Sequence, residues 1–303
     1  MKWLLPCALC MLLLMSLSAC GIGTYEESAV DSTFVDDTLR IALVPTLEAW
    51  PLLVAEEEGW LDSLDHPVQV IRFEAAMDAD TAFVCGWANA ILTDVVKAVT
   101  WRAAGDSVKA VRCADLSLSL IVTPEAKVKK LRALQDKVIA LTRHSALDFM
   151  ADRILHRANL DEKALNRPQI NNVALRQSMT DQRQYDGAIL PEPYATRARA
   201  AGAKKVEVSL DLNPLCLLIM REGTPSTADS IPWQIAEAYD RACRYINDFG
   251  LPADLQDPAD SLFVVPPFEA KEFPSDSLLR LVNEWTRHRR LTTRDVTTDE
   301  LTY

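Results

Sequence analysis

Laid against itself at an offset of 98 positions, the chain repeats three short apolar runs. Ile41-Ala42-Leu43 falls on Ile139-Ala140-Leu141, Ala90-Ile91-Leu92 on Ala188-Ile189-Leu190, and Leu120-Ile121 on Leu218-Ile219. One such match means little in a chain that is 49% hydrophobic. Three at a single offset, each in the pattern of a short buried strand, imply that one structural unit is used twice.

The segments between the runs repeat as well. After Ile41-Ala42-Leu43-Val44, Pro51 stands where a first helical turn accepts proline, Leu52, Leu53 and Ala55 supply an apolar side, and Gly59 marks a stop. The second copy runs from Val138 to Leu141, through Thr142-Arg143-His144-Ser145, into a helix over about Ala146 to Ala158. Strand-like pieces follow in each half, Val68 to Phe73 and Asn172 to Leu175. Alternating strands and helices predict an α/β fold of two three-layer lobes with mixed, mostly parallel sheets.

Two later helices are expected over Ile231 to Phe249 and about Ser275 to His288, both packing back on the first lobe. That lobe is then discontinuous, 39–122 with 213–303, and the second lobe is 123–212. The chain crosses twice, near Thr123-Pro124 and near Leu212-Asn213-Pro214, and two crossings make a hinge. Trp87, Trp233 and Trp285 read as core. In open sheets ligands sit beyond the carboxyl ends of the strands, so facing lobes enclose one cleft.

The first 20 residues have the layout of a cleavable export signal: Lys2, an apolar run from Leu4 to Leu17, then Ser18 and Ala19 before Cys20. Leu17-Ser18-Ala19-Cys20 resembles the lipobox of bacterial lipoproteins, and that resemblance implies a lipid on Cys20 and a place in the cell envelope, outside the cytoplasm. Residues 21–38 read as an acidic, flexible tether reaching about 20–25 Å. Removing residues 1–20, whose only charge is Lys2, takes the net charge from −11 to −12, which argues against nucleic acid as a partner. Cys7 and Cys10 leave with the signal; no structural disulfide is expected among Cys85, Cys113, Cys216 and Cys243.

Tyr185-Asp186-Gly187-Ala188-Ile189-Leu190-Pro191-Glu192-Pro193-Tyr194 resembles, from the aspartate onward, the G-x-x-D-A-x-x-x-x-E-P-Y pattern of periplasmic solute-binding proteins of ABC importers, in the branch holding nitrate, sulfonate and thiamine-precursor binders. Gly187 stands in the alanine's place. Leu134-Gln135-Asp136-Lys137-Val138-Ile139-Ala140 resembles that branch's L-x-G-K-x-V-A, with Asp136 where glycine is usual. The resemblance spans roughly Leu39 to Met220. It implies a monomeric receptor, without cofactor, that captures a small organic solute and delivers it to an ABC permease. Rival readings are a lipid-anchored sensor, or an enzyme of the same fold of the thiamine-pyrimidine synthesis or chorismate dehydration type. The export signal weighs against both enzymes, whose substrates are made and used inside the cell.

Four strand-end loops supply the candidate site residues: Pro45, Thr46, Glu48 and Trp50; Thr93 and Asp94; Thr142, Arg143, His144 and Ser145; Glu192 and Tyr194. The helix start after Ser145 favours an anion, and Arg143 adds a planar pair of donors. Glu48, Asp94 and Glu192 favour a cationic or hydrogen-donating group, and Trp50 suits a flat or apolar one. A zwitterion or polar heterocycle satisfies both. The scattered histidines His66, His144, His156 and His288 carry no metal-binding spacing, and no nucleophile elbow or phosphate loop is present, so neither catalysis nor a metal is expected.

Overall fold

The computed structural model describes residues 38–114, 116–223, 230–269 and 271–303. The expected signal with Cys20, and the tether up to residue 37, lie outside the described residues. Among the described residues no helix is long and apolar enough to cross a membrane.

Among the described residues ten strands form two five-stranded sheets. The first has the order β2 (Val68–Arg72), β1 (Leu39–Leu43), β3 (Ala90–Asp94), β10 (Cys216–Arg221), β4 (Val108–Ala114). The second has the order β7 (Leu165–Asn166), β6 (Lys137–Ala140), β8 (Gly187–Pro191), β5 (Leu118–Val122), β9 (Lys204–Lys205). In each the first three strands are parallel and the fourth runs against its neighbours. The two sheets correspond strand for strand. All three repeated sequence runs fall on corresponding strands: β1 with β6, β3 with β8, and β10 with β5.

The last pair changes the expected crossing. Leu118 to Val122 were assigned to the first lobe, but β5 pairs antiparallel with β8, Leu118 opposite Pro191 and Val122 opposite Gly187. The first crossing therefore lies between β4 and β5, and not near Thr123-Pro124. The second covers 206–215 and includes Asn213-Pro214. The halves exchange their antiparallel strands.

Both faces of the second sheet are covered, as its continuous apolar runs require. Leu120, Val122, Ile139, Leu141 and Ile189 face one core with Met150, Ile154 and Leu155 of α4 (Ala146–Ala158). Ile121, Ala140, Ala188 and Leu190 face the other, with Val173 of α5 (Val173–Asp181) and Ala195 and Ala198 of α6 (Tyr194–Ala200). In the first lobe α1 (Trp50–Glu57), α2 (Ala76–Val84) and α3 (Val95–Ala104) follow their strands in turn. Leu52, Phe83, Val96 and Val99 from these helices are fully buried in one core with the sheet. α7 (Ile231–Phe249) and α8 (Asp276–His288) add Ile235, Tyr239, Leu279 and Val282 to the same core, as expected, and the short α9 (Thr298–Leu301) closes the chain.

Three local expectations are corrected. Asn172 to Leu175 is not a strand: the Asn172 side chain accepts the Leu175 N–H at 2.8 Å and caps α5, while the strand of that half is β7. Trp87 is 51% exposed, its ring set edge-on to Phe73. Trp233 is 64% exposed, because it stands two residues before Ile235 and so off the buried stripe of α7. Trp285 is core, as read.

Several contacts join the lobes. At the rear, Trp285 Nε1 donates to Asp152 Oδ2 at 2.7 Å, and Arg289 and Arg167 bind the same carboxylate. Arg197 of α6 grips Asp260 and Asp257, and Leu47 N donates to Glu192 O at 3.0 Å. Asn172 Nδ2 donates to Glu74 Oε2 at 3.1 Å, a pair themselves 98 positions apart.

Gly187 explains one departure from the family pattern. A Cβ there would lie 2.2 Å from the Ile121 carbonyl oxygen, a backbone atom fixed by the β5–β8 ladder. Gly187→Ala is expected to cost about 3 kcal/mol or more, measured by urea unfolding; a neutral effect would mean that β5 and β8 pack less closely than described.

Candidate functional site

The carboxyl ends of β1, β3, β6 and β8 converge on one cavity of about 100 Å³, room for a few waters or a small solute. Thr46 and Glu48 after β1, Thr93 and Asp94 at the end of β3, Thr142 and Ser145 after β6, and Pro191 at the end of β8 all line it. Six of the twelve expected ligand-binding residues thus meet there.

The other six do not line it. Pro45 sits between two lining residues without lining the cavity itself. Trp50 opens α1, is buried, and meets Phe263 edge-on at 5.7 Å beside a separate depression with Leu251 and Leu255. Arg143 and His144 are exposed. His144 has φ 55, a left-handed turn that lets the loop send Thr142 and Ser145 inward while 143 and 144 point out. Its N–H is held by Asp148 Oδ2 at 3.1 Å, and burial outweighs that carboxylate in lowering the pKa of its ring. Glu192 Oε2 accepts the Thr196 N–H at 3.0 Å and so caps α6. Tyr194 carries Arg197 over its ring, 4.9 Å from the centroid. Asp186 of the family-like stretch accepts the Val138 N–H at 2.9 Å, which joins β6 to the start of β8.

Strand-end reasoning missed Asp80, Lys97, Asn171 and Arg176, all of which line the cavity. Arg176 matters most. It is 2% exposed, on the buried side of α5 with Val173 and Thr180. Its Nε donates to Ile189 O at 3.1 Å, and its Nη1 donates to Thr142 Oγ1 at 3.2 Å and to Ile170 O. Among the described residues no carboxylate pairs with it and Nη2 has no partner. Burial lowers its pKa to about 10, so it remains charged at neutral pH. An enclosed, uncompensated guanidinium at a cavity wall is a seat for an anion.

The first lobe presents the opposite charge. Burial raises Asp94 to about 6, against the Lys97 charge and N–H and the Ala146 N–H across the cleft. Asp94 Oδ1 accepts the Lys97 N–H at 3.1 Å and caps α3. The helix start at Ala146 is capped by Ser145, whose Oγ accepts the Leu147 N–H at 3.2 Å. Lys97 pairs with Asp80, whose carboxyl is raised by burial and lowered by that lysine. Glu48 is 8% exposed; Oε1 accepts from Thr46 Oγ1 at 2.6 Å, and Oε2 is buried without a partner. Burial raises it to about 7, with the Thr46 hydroxyl opposing. Among the described residues no group of acids, histidines and cysteines could hold a metal ion.

No protein-family model matches the chain, and no curated protein matches it in sequence. Solved structures match in fold. The alkanesulfonate-binding protein SsuA from Xanthomonas axonopodis pv. citri, bound to MOPS, superposes with a TM-score of 0.72 at 14% identity over 88% of this chain and 98% of its own. The periplasmic aliphatic sulphonate binding protein SsuA from Escherichia coli gives 0.67 at 16% identity over 88% and 92%. The periplasmic nitrate-binding protein NrtA from Synechocystis PCC 6803 gives 0.58 at 13% identity over 72% and 68%. The chain has the two-lobed fold of periplasmic binding proteins.

Glu48 makes stability depend on pH. Its pKa is higher folded (about 7) than at its ordinary value of 4.5, so between these values the folded protein holds more protons and stability falls as pH rises. From pH 5 to pH 8, in protein freed of solute, the wild type should lose about 2 to 3 kcal/mol relative to Glu48→Gln by urea unfolding. Parallel pH profiles would show that Glu48 is ionised throughout.

Proposed function

We propose that the protein is an extracytoplasmic receptor, held to the membrane by a lipid on Cys20, that captures a small organic solute between its lobes for an ABC importer. The observation that carries this reading is Arg176, a buried guanidinium without a counter-charge on one wall of a cavity whose other wall is acidic. A solute with an anionic end on Arg176 and a hydrogen-donating or cationic end toward Glu48 and Asp94 complements both walls. The fold shared with sulfonate- and nitrate-binding proteins supports the transport role, and the signal-like first 20 residues support the location.

Capture uses both lobes as one binding surface. Thr46, Glu48, Thr93 and Asp94 come from one sheet and Thr142, Ser145, Asn171 and Arg176 from the other half. A solute touching both favours the closed arrangement by its differential affinity. The chain acts as a monomer, and its closed form is what a permease engages. No bond is made or broken in the solute.

Native mass spectrometry of the purified protein should release one small anionic or zwitterionic compound, and calorimetry should show that compound rebinding. Arg176→Ala should weaken rebinding by at least about thirtyfold, since a buried charged partner is removed, with Arg176→Lys intermediate. Arg143→Ala should leave affinity unchanged, and Trp50→Ala should act through stability, at about 3–5 kcal/mol. Conversion of the compound to a product by the purified protein would contradict the receptor reading.

A further inference from the structure

The cavity wall leaves the Glu48 Oε2 buried and unmatched, while Arg176 carries a charge that must persist. Glu48 lies in the single 3-10 turn Leu47–Ala49, and the groups around it can be counted. On its own turn, Thr46 Oγ1 donates to Oε1, and the Glu48 backbone N–H also favours the ionised carboxyl. From α7, the Tyr239 hydroxyl donates to the Glu48 backbone carbonyl at 3.1 Å and leaves the carboxyl untouched. From β10, the Cys216 thiol borders both Glu48 and Asp94, and burial holds it well above its ordinary pKa, so it stays neutral. Asp94 at the end of β3 and Asp80 on α2 add negative charge to the cavity; Lys97 on α3 is engaged by Asp80. Arg176 belongs to the other lobe and donates to Ile189, Ile170 and Thr142. Among the described residues no cation forms an ion pair with Glu48.

Among the described residues no donor or cation therefore reaches Oε2, and an enclosed carboxyl in that setting favours its neutral form. A solute with a hydrogen-donating group can supply the partner that Oε2 lacks. We propose that Glu48 is the specificity-determining and proton-exchanging residue of the site: neutral in the empty cavity, it ionises when an ammonium or similar cationic donor reaches Oε2, so that capture releases one proton. The carboxyl O–H bond breaks, the proton passes to the surrounding buffer, and the charge left on Glu48 is matched by the cation of the solute. This rests on the reading of the cavity as the solute site and adds two properties to it. The receptor selects against anions that lack a cationic donor, and its affinity rises with pH through about 7.

Two pairs of probes that differ only by an ammonium test this: propanoate with 3-aminopropanoate, and ethanesulfonate with 2-aminoethanesulfonate. The amino member of at least one pair should bind at least about tenfold more tightly than its parent. Its affinity should rise about tenfold from pH 6 to pH 8, as the ionised fraction of the free Glu48 carboxyl rises. Calorimetry in buffers of different ionisation enthalpy should count nearly one proton released near pH 6. Glu48→Gln should lose both the ammonium preference and the pH dependence. Thr46→Val, which removes the side-chain donor to Oε1, should move the rise to higher pH. Equal affinity within both pairs, an ammonium preference that survives in Glu48→Gln, or no binding by any of the four would overturn the proposal. A native solute without any hydrogen-donating group would also overturn it while leaving the receptor reading intact, whereas catalytic turnover of the native solute would defeat that reading first.

Discussion

The exchange of one antiparallel strand between the two sheets is the constraint on which the rest of the structure depends. β5 leaves the first half to pair with β8, and β10 returns to pair with β3 and β4. Each sheet is thus completed by the other half of the repeat, and two crossings, one between β4 and β5 and one over 206–215, tie the lobes together. With the parallel strands of both sheets ending toward the same space, polar loop residues from each half are brought to one cavity.

The cavity shows how charge is divided between the lobes. One wall carries Glu48, Asp80 and Asp94 with a single lysine, and the other carries Arg176. Direct pairing of Arg176 with an acid would satisfy the buried guanidinium within the protein, yet its donors go to the carbonyls of Ile189 and Ile170 and to the Thr142 hydroxyl. Those neutral acceptors orient the group without cancelling its charge, which keeps its field available to a ligand. Asp94 plays the complementary part: it caps α3 through the Lys97 N–H and keeps a carboxyl on the acidic wall.

Much of this was legible in the sequence, for physical reasons that can be named. Strands buried on both faces give continuous apolar runs, and these marked β1, β3, β6 and β8 at their correct places. Strong helix signals bounded α4 and α7 to the residue. Strand-end position alone pointed to Thr46, Glu48, Thr93, Asp94, Thr142 and Ser145, which line the cavity. Arg176 was hidden because the apolar Val173, Ala174 and Leu175 read as a strand, although Asn172 is a helix cap and Val173, Arg176 and Thr180 share a face. Arg143 and Trp50 were misplaced because sequence does not show which way a loop residue or a first helical residue points. The exchange of β5 was invisible because a strand's pairing partner is not written in its own composition.

The most direct test of the account is a crystal structure of the protein as purified, with its co-bound solute. An anionic group is expected within hydrogen-bonding distance of Arg176 Nη2, and a donor group at Glu48 Oε2. Solute density in the depression beside Trp50 and Phe263, or in the rear groove between α4 and α8, with Arg176 left to its protein partners, would contradict it.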